Sequence, residues 1–158
     1  MSEKTKQILF FVLPILGQLL LTVLAYFGSR IYVEIPLLAY VNALLMALPA
    51  VLAIVMLIRH KWENEWVIVS LAVQSAMLIT HFAIVHHVIG LGPPGTADSF
   101  WDALYFSIVT WTTLGYGDVN PVHELRMFAA IEALYGYIFL GLIVGVLSTL
   151  FKGPARGP

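Results

Sequence analysis

The sequence predicts an all-α membrane protein with four transmembrane helices, and with a short re-entrant helix and a glycine-rich loop between the third and fourth. Three observations predict this. Hydrophobic residues make up 60% of the 158 and charged ones only 11%, with a mean hydropathy of +0.91, well outside the range of soluble domains. Four apolar stretches are long enough to cross roughly 30 Å of hydrocarbon. A further one, FWDALYFSIVTW, is about half that length and runs straight into TTLGYGD, Thr112 to Asp118, where polar residues and glycines replace oil.

The first span is the run from Ile8 to Phe27, inside an interval from Gln7 to Ser29 that has no acidic or basic residue. Lys4 and Lys6 before it imitate a signal peptide. No small-x-small cleavage pattern follows, however, so the run reads as a retained helix. Pro14 is tolerated there because neighbouring helices can satisfy the carbonyl it frees. The second span runs from Ile35 to Ile58, with Pro36 at its start, Pro49 expected to kink its interior and Asn42 as its one strongly polar side chain. The third begins at Trp66 and continues to about Ile89, where GLGPPGT breaks any helix. The fourth runs from Glu124 to Phe151. The chain therefore divides into an N-terminal two-helix pair at 1–65, a segment of two spans and their connecting loop at 66–151, and a short tail at 152–158.

Charge placement sets the expected topology. Lys4, Lys6, Arg59, Lys61, Lys152 and Arg156 fall on one side, Arg30 and Arg126 on the other. By the positive-inside rule both termini and the loop from Arg59 to Glu65 are cytoplasmic in an integral protein of the plasma membrane. Trp62, Trp66 and Trp101 fit an interfacial belt. A net charge of -1 without a basic cluster gives no footprint for nucleic acid, and the lack of cysteine excludes disulfides and thiolate metal sites. Ser, His and Asp have no catalytic spacing, so an enzyme is not expected.

The segment after the third span faces outward on this topology. FWDALYFSIVTW reads as a helix with Asp98 or Ser99 as N-cap and Asp102 in its first turn. At roughly 20 Å it cannot span the bilayer, and a short helix that enters and meets glycine is re-entrant. Non-helical backbone at that depth is acceptable only where protein covers it or water lines it. To aim successive carbonyls at one axis the chain must alternate backbone hand, and Gly115 and Gly117 take left-handed conformations cheaply. Thr113 adds a hydroxyl at the inner end, while Leu114 and Tyr116 turn outward as braces. The result is a ladder of oxygens with no charged side chain, suited to a hard monovalent cation that sheds its water.

TWTTLGYGD, Thr110 to Asp118, resembles the signature of the tetrameric potassium channel pore module, and the resemblance extends from Trp66 to Phe151. It implies a homotetramer with an outer helix, a pore helix, a selectivity-filter loop and an inner helix from each copy. It implies K+ coordination by the carbonyls of Thr113, Leu114, Gly115 and Tyr116 and by the Thr113 hydroxyl, with Tyr116 and Gly117 at the outer mouth. The ligand is then the permeant K+ ion itself, membrane lipids are the surroundings, and no other cofactor is implied. Thr112, Trp111, Tyr105 and Asp118 would support the filter. The pattern departs from the family at Leu114, usually a stiffer β-branched Val or Ile, and at Val109, where some relatives carry a glutamate. Tyr105 stands where relatives often have a tryptophan bonding the filter aspartate, so a Tyr105–Asp118 bond is expected.

Elsewhere in the fourth span, Gly136 reads either as a gating hinge or as a site of close helix packing. For Gly141 and Gly145 packing is favoured over a hinge. Leu147, Leu150 and Phe151 could close an inner gate. Glu132 is the only Asp, Glu, Lys or Arg well inside a span, and it reads either as a gating carboxylate hydrogen-bonded to the pore helix or as a structural one near the interface. His81, His86 and His87 at the outer end of the third span are expected in solvent rather than as proton sensors. Neither of the first two spans has the arginine row of a voltage sensor, so a peripheral scaffold is expected. Two alternatives to a potassium-selective channel stay open: a weakly selective Na+/K+ channel, prompted by Leu114, and a non-conducting subunit that modifies other pores.

Overall fold

A computed structural model describes residues 3–28, 34, 37–59, 64–92 and 99–150. It has five α-helices among them: α1 (Glu3–Phe27), α2 (Leu37–Ile58), α3 (Asn64–Ile89), the short α4 (Phe100–Trp111) and α5 (Arg126–Leu150). No strand occurs among the described residues. A single bridge pairs Leu91 with Pro121, and the Gly92 amide donates to the Asn120 carbonyl beside it. This clasp draws together the chain leaving α3 and the chain entering α5, and so closes the base of the excursion that carries α4 and the glycine-rich loop.

The helix ends differ slightly from those expected. The third helix starts at Asn64, before Trp66, and a 3-10 turn at His123–Leu125 precedes α5 where one continuous helix from Glu124 was expected. The helical assignment of α2 runs through Pro49. Pro36, Trp62, Asp98, Phe151, Arg30, Lys61, Lys152 and Arg156 lie outside the described residues.

The core is organised around α3. Its Val67, Leu71, Leu78, Phe82 and Val85 are fully buried against Ala39, Ala43 and Met46 of α2, Trp111 of α4, and Phe128, Phe139 and Val146 of α5. Small residues on α2 allow close approach in an apolar medium, where packing rather than water exclusion holds helices together. The aromatic rings lock α3 to α5: Phe82 and Phe128 lie 4.6 Å apart, and Tyr40 of α2 meets Phe128 edge-on at 5.1 Å. A smaller cluster of Leu91, Ala103, Phe106 and Ala129 seats α4 on α5.

The N-terminal pair is joined by a polar contact. Buried Gln18 of α1 donates its amide to the Met46 carbonyl of α2, one residue beyond the Leu45 carbonyl that Pro49 deprives of its usual donor. Val67–Ile89 and His123–Thr149 are long and apolar enough to cross a membrane, and Ile15–Leu24 and Leu37–Leu48 are shorter apolar stretches. Much of the apolar surface of α1, α2 and α5 is exposed, as lipid or further protein requires.

Candidate functional site

The site is built from α4 outward. Ser99 caps its N-terminus in a reciprocal box: the Asp102 amide donates to Ser99 Oγ, and the Ser99 amide donates to Asp102 Oδ2, both at 3.2 Å. The helix stops at Trp111. Thr112 then folds its hydroxyl back onto the Ile108 carbonyl at 2.7 Å.

Beyond Thr112 the backbone does what the glycines suggest, and extends it by one residue. φ is +59° at Thr113, +55° at Gly115 and +78° at Gly117, so every second residue is left-handed. Sequence reasoning named Thr113 for its oxygens but missed its left-handed backbone, and for a β-branched residue positive φ is a true outlier and therefore a pointer to function. The signal was available, because the two-residue spacing of the glycines carried back one step lands on Thr113.

The amides of this stretch turn toward α4. Thr113 N–H donates to the Thr110 carbonyl at 3.0 Å, and the Val109 carbonyl accepts from both Leu114 (3.0 Å) and Gly115 (3.4 Å). Among the described residues no donor reaches the carbonyls of Thr113, Leu114, Gly115 or Tyr116. Four adjacent oxygens are thus left without protein partners, while the side chains of Leu114 and Tyr116 stand 58% and 67% exposed.

At the outer end the loop is pinned by its aspartate. Tyr105 of α4 donates its hydroxyl to Asp118 Oδ2 at 2.8 Å, and the Val119 amide donates to Oδ1 at 3.1 Å. The bond to the Asp118 carboxylate pushes the Tyr105 phenol up from its ordinary value of 10.0. The Asn120 side-chain Nδ2 donates to the Gly117 carbonyl at 3.2 Å and closes the turn.

Behind the loop, Gly136 of α5 meets the end of α4. A Cβ placed there would overlap the Trp111 carbonyl oxygen and come within 2.7 Å of its carbon, so only glycine fits. The close packing expected at Gly141 and Gly145 is not found within one chain, since nothing lies within 4 Å of a Cβ at either. It occurs at Gly136 instead, because there α5 crosses the backbone where α4 ends. Leu147 is half-buried, one turn from the end of α5.

The histidines correct the expectation of solvent. His81 and His86 are fully buried, because α2 covers the first and α4 and α5 cover the second; His87 alone of the three is exposed. Glu132, also fully buried, faces His86 across α3 and α5, with Oε2 and Nε2 3.0 Å apart. Its directly bonded partner is His86 on the outer of the two long helices, and Ser107 of α4, the helix the gating reading named, stands beside the same carboxyl. That partner was invisible in sequence, because His86 and Glu132 are 46 residues apart.

Residues 66–152, which hold α3, α4, the loop and α5, match the ion channel family. The chain belongs to that family. Its matched segment is the potassium channel pore domain. Protein LctB of Geobacillus stearothermophilus is 43% identical over 110 residues, which cover 62% of this chain and 78% of that protein. The voltage-gated potassium channel of Aeropyrum pernix is 35% identical over 83 residues, 51% of this chain and 28% of its own length. The inward rectifier potassium channel Kirbac3.1 of Paramagnetospirillum magnetotacticum is 30% identical over 100 residues, 59% of this chain and 33% of its own. This chain thus spans a third or less of either channel. No solved structure matches it at the same stringency.

Proposed function

We propose that the protein is the subunit of a homotetrameric, potassium-selective channel of the plasma membrane. Each copy contributes four transmembrane helices (α1, α2, α3 and α5), both termini are cytoplasmic, and α4 with the loop after it re-enters from outside. In this reading 66–151 is the pore module and 1–65 a peripheral pair. The observation that carries it is the run of partnerless carbonyls from Thr113 to Tyr116, held by alternating backbone hand and by amides turned onto Val109.

The mechanism follows from that backbone. A potassium ion exchanges its water for the carbonyl oxygens of Thr113, Leu114, Gly115 and Tyr116 and for the Thr113 hydroxyl. Gly117 sits at the outer mouth. Because no full charge binds the ion, it leaves as readily as it enters, and neighbouring ions displace one another. The C-terminal end of α4 near Trp111 directs its partial negative charge toward the inner end of the loop and favours a cation there. The bond from Tyr105 to Asp118 steadies the outer end.

One loop cannot surround an ion, so copies must assemble, and a cyclic homo-oligomer is the simplest closed solution. The exposed apolar side chains Leu114 and Tyr116 on the loop, and Leu134, Tyr137, Ile138 and Val144 on α5, supply a face for such neighbours. Neither α1 nor α2 contains an arginine, so opening by an arginine-row voltage sensor is not part of the proposal.

Flux from reconstituted liposomes tests it. Purified protein should release trapped K+ under an outward gradient, Gly115→Ala should abolish the release, and chemical cross-linking should give a ladder ending at four copies. Equal release of Na+ would replace the selective reading with the unselective one prompted by Leu114. Release unaffected by Gly115→Ala would remove the loop from the conduction path.

A further inference from the structure

An ionisable pair inside an apolar bundle is costly unless each member is satisfied, and such groups mark function more often than stability. His86 and Glu132 are both fully shielded, and three elements converge on them. His86 comes from α3 and Glu132 from α5. From α4, Phe106 meets the His86 ring edge-on at 4.8 Å, and Ser107 stands beside the Glu132 carboxyl. The site is incompletely bonded. Glu132 Oε1, Ser107 Oγ and His86 Nδ1 are all buried without a hydrogen-bond partner among the described residues. Orphaned buried atoms are uncommon enough to need an explanation, and here three occur together.

Their spacing supplies one. Glu132 and Gly136 are four apart on α5, and Ser107 and Trp111 are four apart on α4, so each pair lies one turn apart on one face of its helix. The two faces oppose each other: Gly136 against the Trp111 backbone, Glu132 against Ser107. One contact is steric and the other polar. Two residues beyond Ser107, the Val109 carbonyl takes the amides of Leu114 and Gly115. A shift of α5 along α4 is therefore felt at the base of the loop.

We propose that Glu132 is a positioning residue for conduction. With His86 on one oxygen and Ser107 available to the other, it forms a polar joint behind α4 that transmits the setting of α5 to the filter. This rests on the channel reading above.

Single-channel recording of the whole protein in planar bilayers tests it, paired with melting temperature and size-exclusion profile for each variant. Glu132→Leu lowers open probability about tenfold, the loss expected when buried hydrogen-bonding groups lose their partner, while the reversal potential stays at the parent value. Glu132→Gln keeps an acceptor oxygen for His86 and offers an amide N–H to the Ser107 hydroxyl, and it stays close to the parent. Ser107→Ala lowers open probability less than Glu132→Leu, and combining the two adds nothing to Glu132→Leu alone. If Glu132→Leu fails to assemble, Ser107→Ala set against Glu132→Gln decides, with the alanine variant expected to be the impaired one. The joint is overturned if Ser107→Ala and the parent open equally, if the two effects add in full, or if Glu132→Gln is as impaired as Glu132→Leu. A conducting parent with unaffected variants removes this role alone. A parent that passes no potassium removes the channel reading, and this role with it.

Discussion

The loop from Thr112 to Asp118 and the His86–Glu132 pair are both polar intrusions in an apolar fold, yet they solve the same problem in opposite ways. The loop satisfies the amides of Thr113, Leu114 and Gly115 within its own neighbourhood, on the carbonyls of Thr110 and Val109, and leaves the carbonyls from Thr113 to Tyr116 open. The pair joins side chains from two helices 46 residues apart and leaves open one carboxylate oxygen, one ring nitrogen and a nearby serine hydroxyl. Open backbone oxygens in a row make a path for a cation. Open side-chain atoms at a helix junction make a joint whose bonding can change.

The sharpest way to break the local half of this comparison is at the glycines. A Cβ at Gly115 meets nothing within 4 Å, so Gly115→Ala acts through backbone conformation alone, at φ +55°. The left-handed region costs an L-residue roughly 1–2 kcal/mol, paid in every copy of an assembly. Potassium flux should vanish while the oligomer still forms on size exclusion. At Gly136 the effect is steric. Gly136→Ala drives a methyl into the Trp111 carbonyl and should cost about 1–3 kcal/mol of stability, as core overpacking does. Gly141→Ala, with open space around it, should leave the melting temperature of the detergent-solubilised chain near that of the parent.

The same contrast explains what could be read from the sequence. The cap at Ser99, the end of α4 near Trp111 and the turn at the glycines are local, encoded within a few residues of where they act, and so were legible. The Tyr105–Asp118 bond was reachable through the family resemblance, because Tyr105 stands where relatives often have a tryptophan bonding the aspartate. The burial of His86 was not legible, because it depends on α4 and α5 folding over α3, and a histidine near a span end reads as solvated until that packing is known. Positive φ at Thr113 was missed for a different reason: β-branched residues avoid that region, which outweighed the two-residue spacing of the glycines that pointed to it. At Gly136 the sequence left a hinge and close packing both open, because small-residue spacing marks a surface that can approach another without naming the partner.

Smaller effects sharpen the picture of the outer loop. Tyr105→Phe removes the 2.8 Å bond to Asp118 and should make current decay several-fold faster in sustained recordings, with the initial reversal potential unchanged. In the parent, the neutral phenol is the donor and is favoured in the folded state. Its contribution is therefore complete below the ordinary value of 10.0 and is lost as pH rises past the raised one. Decay should be flat across neutral pH and quicken only in alkali. The least change is expected from Leu114→Val. The β-branched side chain stiffens the strand, and selectivity for potassium over sodium should rise modestly with no loss of assembly.

The central claim, that the carbonyls from Thr113 to Tyr116 select potassium, is tested most directly by the reversal potential of the reconstituted protein with potassium on one side of a planar bilayer and sodium on the other. The account predicts a reversal close to the potassium equilibrium potential, and no potassium-selective current in Gly115→Ala. A reversal near zero in the parent would contradict it.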